Sequence, residues 1–185
     1  MPFLGEEPAC YPEDLLNGFG ADNGERRWWV LHTKARQEKS VARQLLDFEI
    51  PFYLPQVEKT SVYRGRKRSA FIPLFTGYVF LYGTEQDRFR SLTTNRIAQV
   101  LSVVDEVELY NDLRQVWQLI AAKAPLTVES RLEPGQRVRV HSGALMGVEG
   151  TVVSRRKKCR LLVAVHLLQQ GVSVEIDDFL LEPLD

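Results

Sequence analysis

The sequence predicts an α+β protein in two parts, an N-terminal antiparallel sheet carrying helices and a small C-terminal β-barrel. Three observations carry that prediction. Pro73-Leu74-Phe75-Thr76-Gly77-Tyr78-Val79-Phe80 gathers aromatics around a Thr-Gly kink, too many for one face of a single strand, so some are expected at the surface. Gly143, Gly147 and Gly150 punctuate a β-rich C-terminal third at a spacing suited to a tight loop between barrel strands. Between these stretches Leu113, Val116, Trp117 and Ile120 fall at i, i+3, i+4 and i+7, which lines one face of a helix.

The elements follow in chain order. Residues 1–25 hold three prolines, four glycines, six acids and no base, with no usable period, and read as a flexible acidic leader. Folding is expected to begin near Arg26. Trp28 to His32 reads as a strand, and Thr33 can cap a helix in which Val41, Ala42, Leu45 and Leu46 recur at helical spacing. Ile50-Pro51 forces an extended chain, because the proline ring disfavours helix at the residue before it. Phe52 to Leu54 opens a second strand, Arg64 to Arg68 is a hairpin tip, and Ser69 to Tyr82 is a long return strand, with a short strand near Val100 to Val103. Asn111 or Asp112 caps the second helix and Pro125 stops it. The two helices can cover one face of the sheet and leave the other face or an edge to a partner.

The first domain is thus expected over residues 26–125. Residues 126–131 show too little pattern for an element and read as a linker, and residues 132–185 form the second domain. There Arg137 to His141, Glu149 to Ser154, Arg160 to Leu168, Val172 to Ile176 and Phe179 to Leu181 are five short strands, and a small barrel would remove their exposed edges.

Composition bounds the function. No apolar run approaches the roughly 20 residues of a membrane helix, and the N-terminus lacks the basic flank and apolar core of a secretion signal, which predicts a cytoplasmic protein without membrane contact. Cys10 and Cys159 stand far apart without metal-ligand spacing, so neither a metal site nor a disulfide framework is expected. The net charge is zero, yet residues 26–125 carry sixteen bases against ten acids, a basic surplus compatible with nucleic acid. His32, His141 and His166 have no Cys, Ser or paired-carboxylate constellation beside them, and neither Gly-rich stretch has phosphate-loop spacing, so no enzyme and no cofactor are expected.

Three fragments, in order, resemble the NusG-type transcription elongation factors, a family that includes specialised antiterminators such as RfaH. Trp28 to Lys34 looks like the family's opening strand, and Pro73 to Phe80 looks like its signature strand. Gly135-Gln136-Arg137-Val138-Arg139-Val140, leading into Gly143 to Gly150, is similar to the KOW motif of its C-terminal, SH3-like barrel. The resemblance covers about residues 28–184 and implies a NusG N-terminal (NGN) domain followed by a KOW domain.

It also implies roles. The family's N-terminal domain holds the clamp helices of RNA polymerase in a hydrophobic depression, and Phe75 and Tyr78, with His32, stand at the matching positions. Exposed aromatics suit that task, since they bring a large contact area at little rotamer cost. Lys34, Arg36, Arg88 and Arg90 are candidates to face upstream or non-template DNA, and Arg66, Lys67 and Arg68 at the hairpin tip are candidates for nucleic-acid contact. Where housekeeping members present phenylalanines to a ribosomal protein or a termination factor, this chain has Leu145, Val148 and Leu168, which bury less area and offer no stacking face. That departure puts those partnerships in doubt, and the chain is read as a specialised paralog promoting processive transcription, expected to be a monomer. Two other readings stay open: a housekeeping factor coupling transcription to translation or termination, and, in another class, a KOW-bearing RNA- or ribosome-binding protein.

Overall fold

Trp28, Trp29, Val30 and Leu31 are all buried, so the opening strand has both faces covered and lies inside a sheet. The structure is a computed structural model that describes residues 7–18, 24–155 and 158–184. The chain divides into two units, Met1–Glu106 and Val107–Asp185.

In the first unit the described strands are β1 (Cys10–Tyr11), β2 (Arg27–Thr33), β3 (Phe52–Tyr53), β4 (Gln56–Tyr63), β5 (Arg66–Pro73), β6 (Tyr78–Gly83) and β7 (Ile97–Ser102), with helices α1 (Glu38–Asp47) and α2 (Glu85–Leu92). Five of these strands form one antiparallel sheet in the order β1-β3-β6-β2-β7. Helix α1 lays Val41, Ala42 and Leu45 against Leu31, Val79 and Leu81 of β2 and β6. Each such side chain contributes about 1.5–3 kcal/mol on leaving water. Strands β4 and β5 pair with each other and form a separate two-stranded arm.

Four expectations are corrected here. The leader is only partly outside the core: β1 pairs with β3, the Leu54 N–H donates to the Ala9 carbonyl at 2.6 Å, Leu16 is buried, and Glu7 pairs with Arg43. Residues 1–6 and 19–23 of that segment lie outside the described residues. The reason is an edge: β3 would otherwise present unpaired backbone groups, and the leader covers them. The predicted return strand is two strands, because the chain leaves β5 after Pro73 and turns through Gly77 before β6. Thr33 is buried within β2 and caps nothing, and α1 starts after Gln37 without a side-chain cap. Helix α2, not expected at all, begins in a capping box in which Thr84 and Asp87 satisfy each other's backbone N–H groups.

The second unit contains α3 (Glu106–Ala121, its first residue in the first unit) and strands β8 (Leu126–Glu129), β9 (Gln136–Val140), β10 (Glu149–Arg155), β11 (Lys158–Val165), β12 (Gln170–Glu175) and β13 (Leu181–Pro183). They form an antiparallel sheet in the order β13-β9-β10-β11-β12-β8 around Val138, Val140, Leu161, Val163, Val172 and Val174. Among the described residues β13 and β8 do not pair, so the sheet does not close into the expected barrel. The segment read as a linker is instead β8, hydrogen-bonded to β12, with buried Glu129 accepting from the Ser173 hydroxyl at 2.6 Å.

Helix α3 starts before the caps proposed at Asn111 and Asp112. Asp112 is mid-helix, where its Oδ2 accepts from the His166 backbone N–H at 2.9 Å and lies 3.0 Å from His166 Nδ1. Gln115 Oε1 likewise accepts from the Glu149 N–H. These bonds place most of α3 with the C-terminal sheet, which moves the division of the chain ahead of residues 126–131.

Candidate functional site

The Thr-Gly kink is held from both sides. Gly77 has φ +86, a conformation that disfavours residues with a Cβ. Its N–H donates to Glu38 Oε1 at 2.7 Å, and its carbonyl accepts from the Thr33 N–H at 2.8 Å. A Cβ at Gly77 would lie 3.4 Å from the His32 ring, so glycine also leaves room for that ring. His32 and Tyr78 are direct cross-strand partners on β2 and β6, with ring centroids 5.1 Å apart and planes 25° apart. Both remain half-buried, and they form a small stacked platform at the end of the sheet.

Phe75 does not join that platform. It is 1% exposed and belongs to the core, as does Leu74, so the surface position expected for it is not found. The turn is the reason: the Tyr78 N–H closes onto the Phe75 carbonyl at 3.3 Å, and Thr76 takes the exposed position between them.

The basic residues separate into two kinds. Lys34 and Arg36 are exposed in the turn after β2 and are not in a helix; Lys34 Nζ donates to the Asn95 carbonyl at 2.7 Å. Arg88 and Arg90 lie on α2 and are packed against rings. The Arg88 guanidinium sits 5.2 Å from the Trp29 ring and 4.4 Å from the Phe89 ring and pairs with Glu85, while that of Arg90 sits 4.2 Å from the Phe48 ring. The hydrogen bond from Arg88 lowers the Glu85 carboxyl below its usual range.

The β4-β5 arm is the more open cationic element, exposed from Glu58 to Ala70. Its register pairs Tyr63 with Arg66, Ser61 with Arg68 and Lys59 with Ala70, which brings Lys59, Tyr63, Arg66 and Arg68 to one face. Lys67 pairs with Val62 on the opposite face. Sequence reasoning grouped Lys67 with its neighbours and passed over Lys59 and Tyr63. Counting alternate residues outward from the Arg64-Gly65 tip would have found them.

In the second unit Gly143 and Gly147 take positive φ in the loop before β10, while Gly150 lies within β10, where a Cβ would come within 2.4 Å of the Leu162 carbonyl. Val148 and Leu168 are buried and Leu145 is half-buried, so the three do not assemble an exposed patch. Met146, which the sequence reading did not single out, is the large exposed apolar side chain of this loop.

Burial, with Asp14 nearby, pushes the Cys10 thiol up to about 12, and burial, with Asp178, pushes Cys159 up to about 11. Both are protonated at neutral pH and poor nucleophiles. Among the described residues no group of three or more His, Cys, Asp or Glu side chains is placed to hold a metal ion, and no helix is long and apolar enough to cross a membrane.

The first unit thus presents an aromatic pair at a sheet end and an exposed cationic arm. Residues 26–131 match the family model NusG, described as transcription termination factor nusG. The chain belongs to the NusG family, and its matched region is a transcription elongation and termination factor domain. No curated protein matches the chain.

Proposed function

We propose that this protein binds RNA polymerase through the sheet end that carries His32 and Tyr78, and that it keeps the enzyme transcribing through pauses and terminators. The single observation that carries this reading is the stacked, half-buried pair at the glycine turn, because Tyr78 falls on the aromatic strand by which the chain resembles the polymerase-contacting strand of its family. An apolar helix pair such as the clamp helices can lay its side chains over such a platform. Lys34, Arg36, Arg88 and Arg90, together with the arm, supply positive charge toward upstream or non-template DNA. Phe75 supports the platform from the core.

The C-terminal unit acts in this reading as the KOW module. Its glycine loop, with Leu145 half-buried and Met146 exposed, is the place for a second protein. Aliphatic Leu145, Val148 and Leu168 in place of phenylalanines favour a specialised paralog over a housekeeping partner of ribosomes or termination factors. The protein works in the cytoplasm as a monomer.

The test is retention by purified cognate RNA polymerase. His32→Ala with Tyr78→Ala is expected to weaken binding by at least ~2 kcal/mol, since a few aromatic anchors dominate such interfaces. Undiminished binding by a folded double variant overturns the reading.

A further inference from the structure

The β4-β5 arm spans Gln56 to Pro73 and contains five bases, Lys59, Arg64, Arg66, Lys67 and Arg68, against one acid, Glu58. Side chains alternate across a β-ribbon, so the register divides these charges between two faces. One face carries Lys59, Arg66 and Arg68 with Tyr63; the other carries Glu58 and Lys67. The only acid of the arm therefore lies away from the tyrosine.

Tyr63 is the aromatic of the cationic face and is 53% exposed. The guanidinium groups of Arg64 and Arg68 each sit 5.3 Å from its ring centroid, which orders the ring and the cations together. Such contacts hold an aromatic in water where its own burial would not. A flat ring ringed by cations fits a ligand that has both a phosphate backbone and accessible base faces. A duplex offers the first and hides the second; an unpaired strand offers both.

We propose that this face of the arm is a binding site for single-stranded nucleic acid, with a base stacked on Tyr63 and the backbone neutralised by Lys59, Arg66 and Arg68. This rests on and deepens the functional reading above, which turns the arm's charge toward upstream or non-template DNA without choosing between duplex and single strand or naming the face. The opposite face, including Lys67, takes no part.

The experiment measures binding of the full-length protein to a fluorescent oligothymidylate and to a duplex of equal length, by anisotropy across a salt series, without polymerase. Tyr63→Ala is expected to weaken oligothymidylate binding on the order of tenfold and duplex binding little, while Tyr63→Phe keeps the affinity. Neutralising Lys59, Arg66 and Arg68 to Gln is expected to lower the slope of log affinity against log salt by about 0.7 per cation. Lys67→Gln is expected to leave the affinity within twofold. Equal loss on Lys67→Gln, tighter binding to the duplex, or no binding to the oligothymidylate overturns the proposal, the last leaving an acidic protein surface as the occupant. Retention of the same variants by polymerase distinguishes the outcomes: the arm variants are expected to bind polymerase normally whether or not the strand-binding proposal survives, whereas a failure of the functional reading appears in the His32 and Tyr78 variants.

Discussion

The buried carboxylate of Glu38, on the first turn of α1, accepts the N–H of Gly77 at 2.7 Å. This bond ties the helix to the turn that separates Phe75 in the core from Tyr78 at the surface. It also gives the N–H of a buried, positive-φ glycine a charged partner, the stronger kind of hydrogen bond. Glu38→Ala leaves that N–H without a partner and is expected to cost about 1–3 kcal/mol, read as a shift in the urea midpoint. Glu38→Gln keeps an acceptor oxygen and is expected to retain at least half of that stability. Equal losses in the two variants would mean that packing, not the bond, holds the turn.

Phe75 and Tyr78 stand three residues apart and should respond oppositely. Phe75→Ala opens a core cavity and is expected to destabilise the protein by about 3–5 kcal/mol. Tyr78→Ala is expected to change stability by under about 1.5 kcal/mol and to act on polymerase binding instead. Thermal unfolding of the two single variants checks this, and a Tyr78 variant as unstable as the Phe75 variant would return Tyr78 to the core.

Asp112 gives a pH dependence with an uncommon sign. Burial raises its carboxyl above the usual value, an effect opposed by the hydrogen bonds and charge of His166 and reinforced by Glu108. Between the unfolded value near 3.8 and the raised folded value, the native state holds more protons than the unfolded state. The contribution of Asp112 to stability is therefore greatest below that window and falls as pH rises through it. Asp112→Asn removes the titrating group while keeping an oxygen for the His166 N–H, and denaturation followed at several pH values from 3.5 upward is expected to lose this component of the slope. An unchanged slope in the variant would assign the titration elsewhere.

Residues 126–129 should behave as structure. A C-terminal fragment beginning at Pro125 keeps β8 beside β12, and one beginning at Ser130 loses both the strand and the Glu129–Ser173 bond. Circular dichroism melts are expected to place the second fragment well below the first. Coincident melting curves would make β8 dispensable.

The fold class was legible because the dominant signals were periodic. Arg137 to Val140 alternates at period two, and Leu113 and Val116 repeat at a helical period, so both elements follow from where side chains must go. Helix α2 was missed for the converse reason. Glu85-Gln86-Asp87-Arg88-Phe89-Arg90 has little apolar repeat, and its signal was the Thr84–Asp87 box alone. The leader was misread because composition reports average polarity, while Tyr11 joins the sheet through β1 and Leu16 is buried. At the site, the turn at Gly77 and the basic tip were visible as residue types. Which of their side chains share a surface was not.

The sequence by itself determined the fold class, the glycine positions, the family and the uneven charge, all of which depend on local spacing and residue chemistry. Tertiary structure alone decided that Phe75 is core while Tyr78 is half-open, that Lys59 and Tyr63 share a face which Lys67 does not, and that Asp112 meets His166 across 54 residues of chain. Each of those outcomes rests on register or on contact between distant segments, and such pairings are fixed by the packing of the whole chain, not by neighbours in sequence.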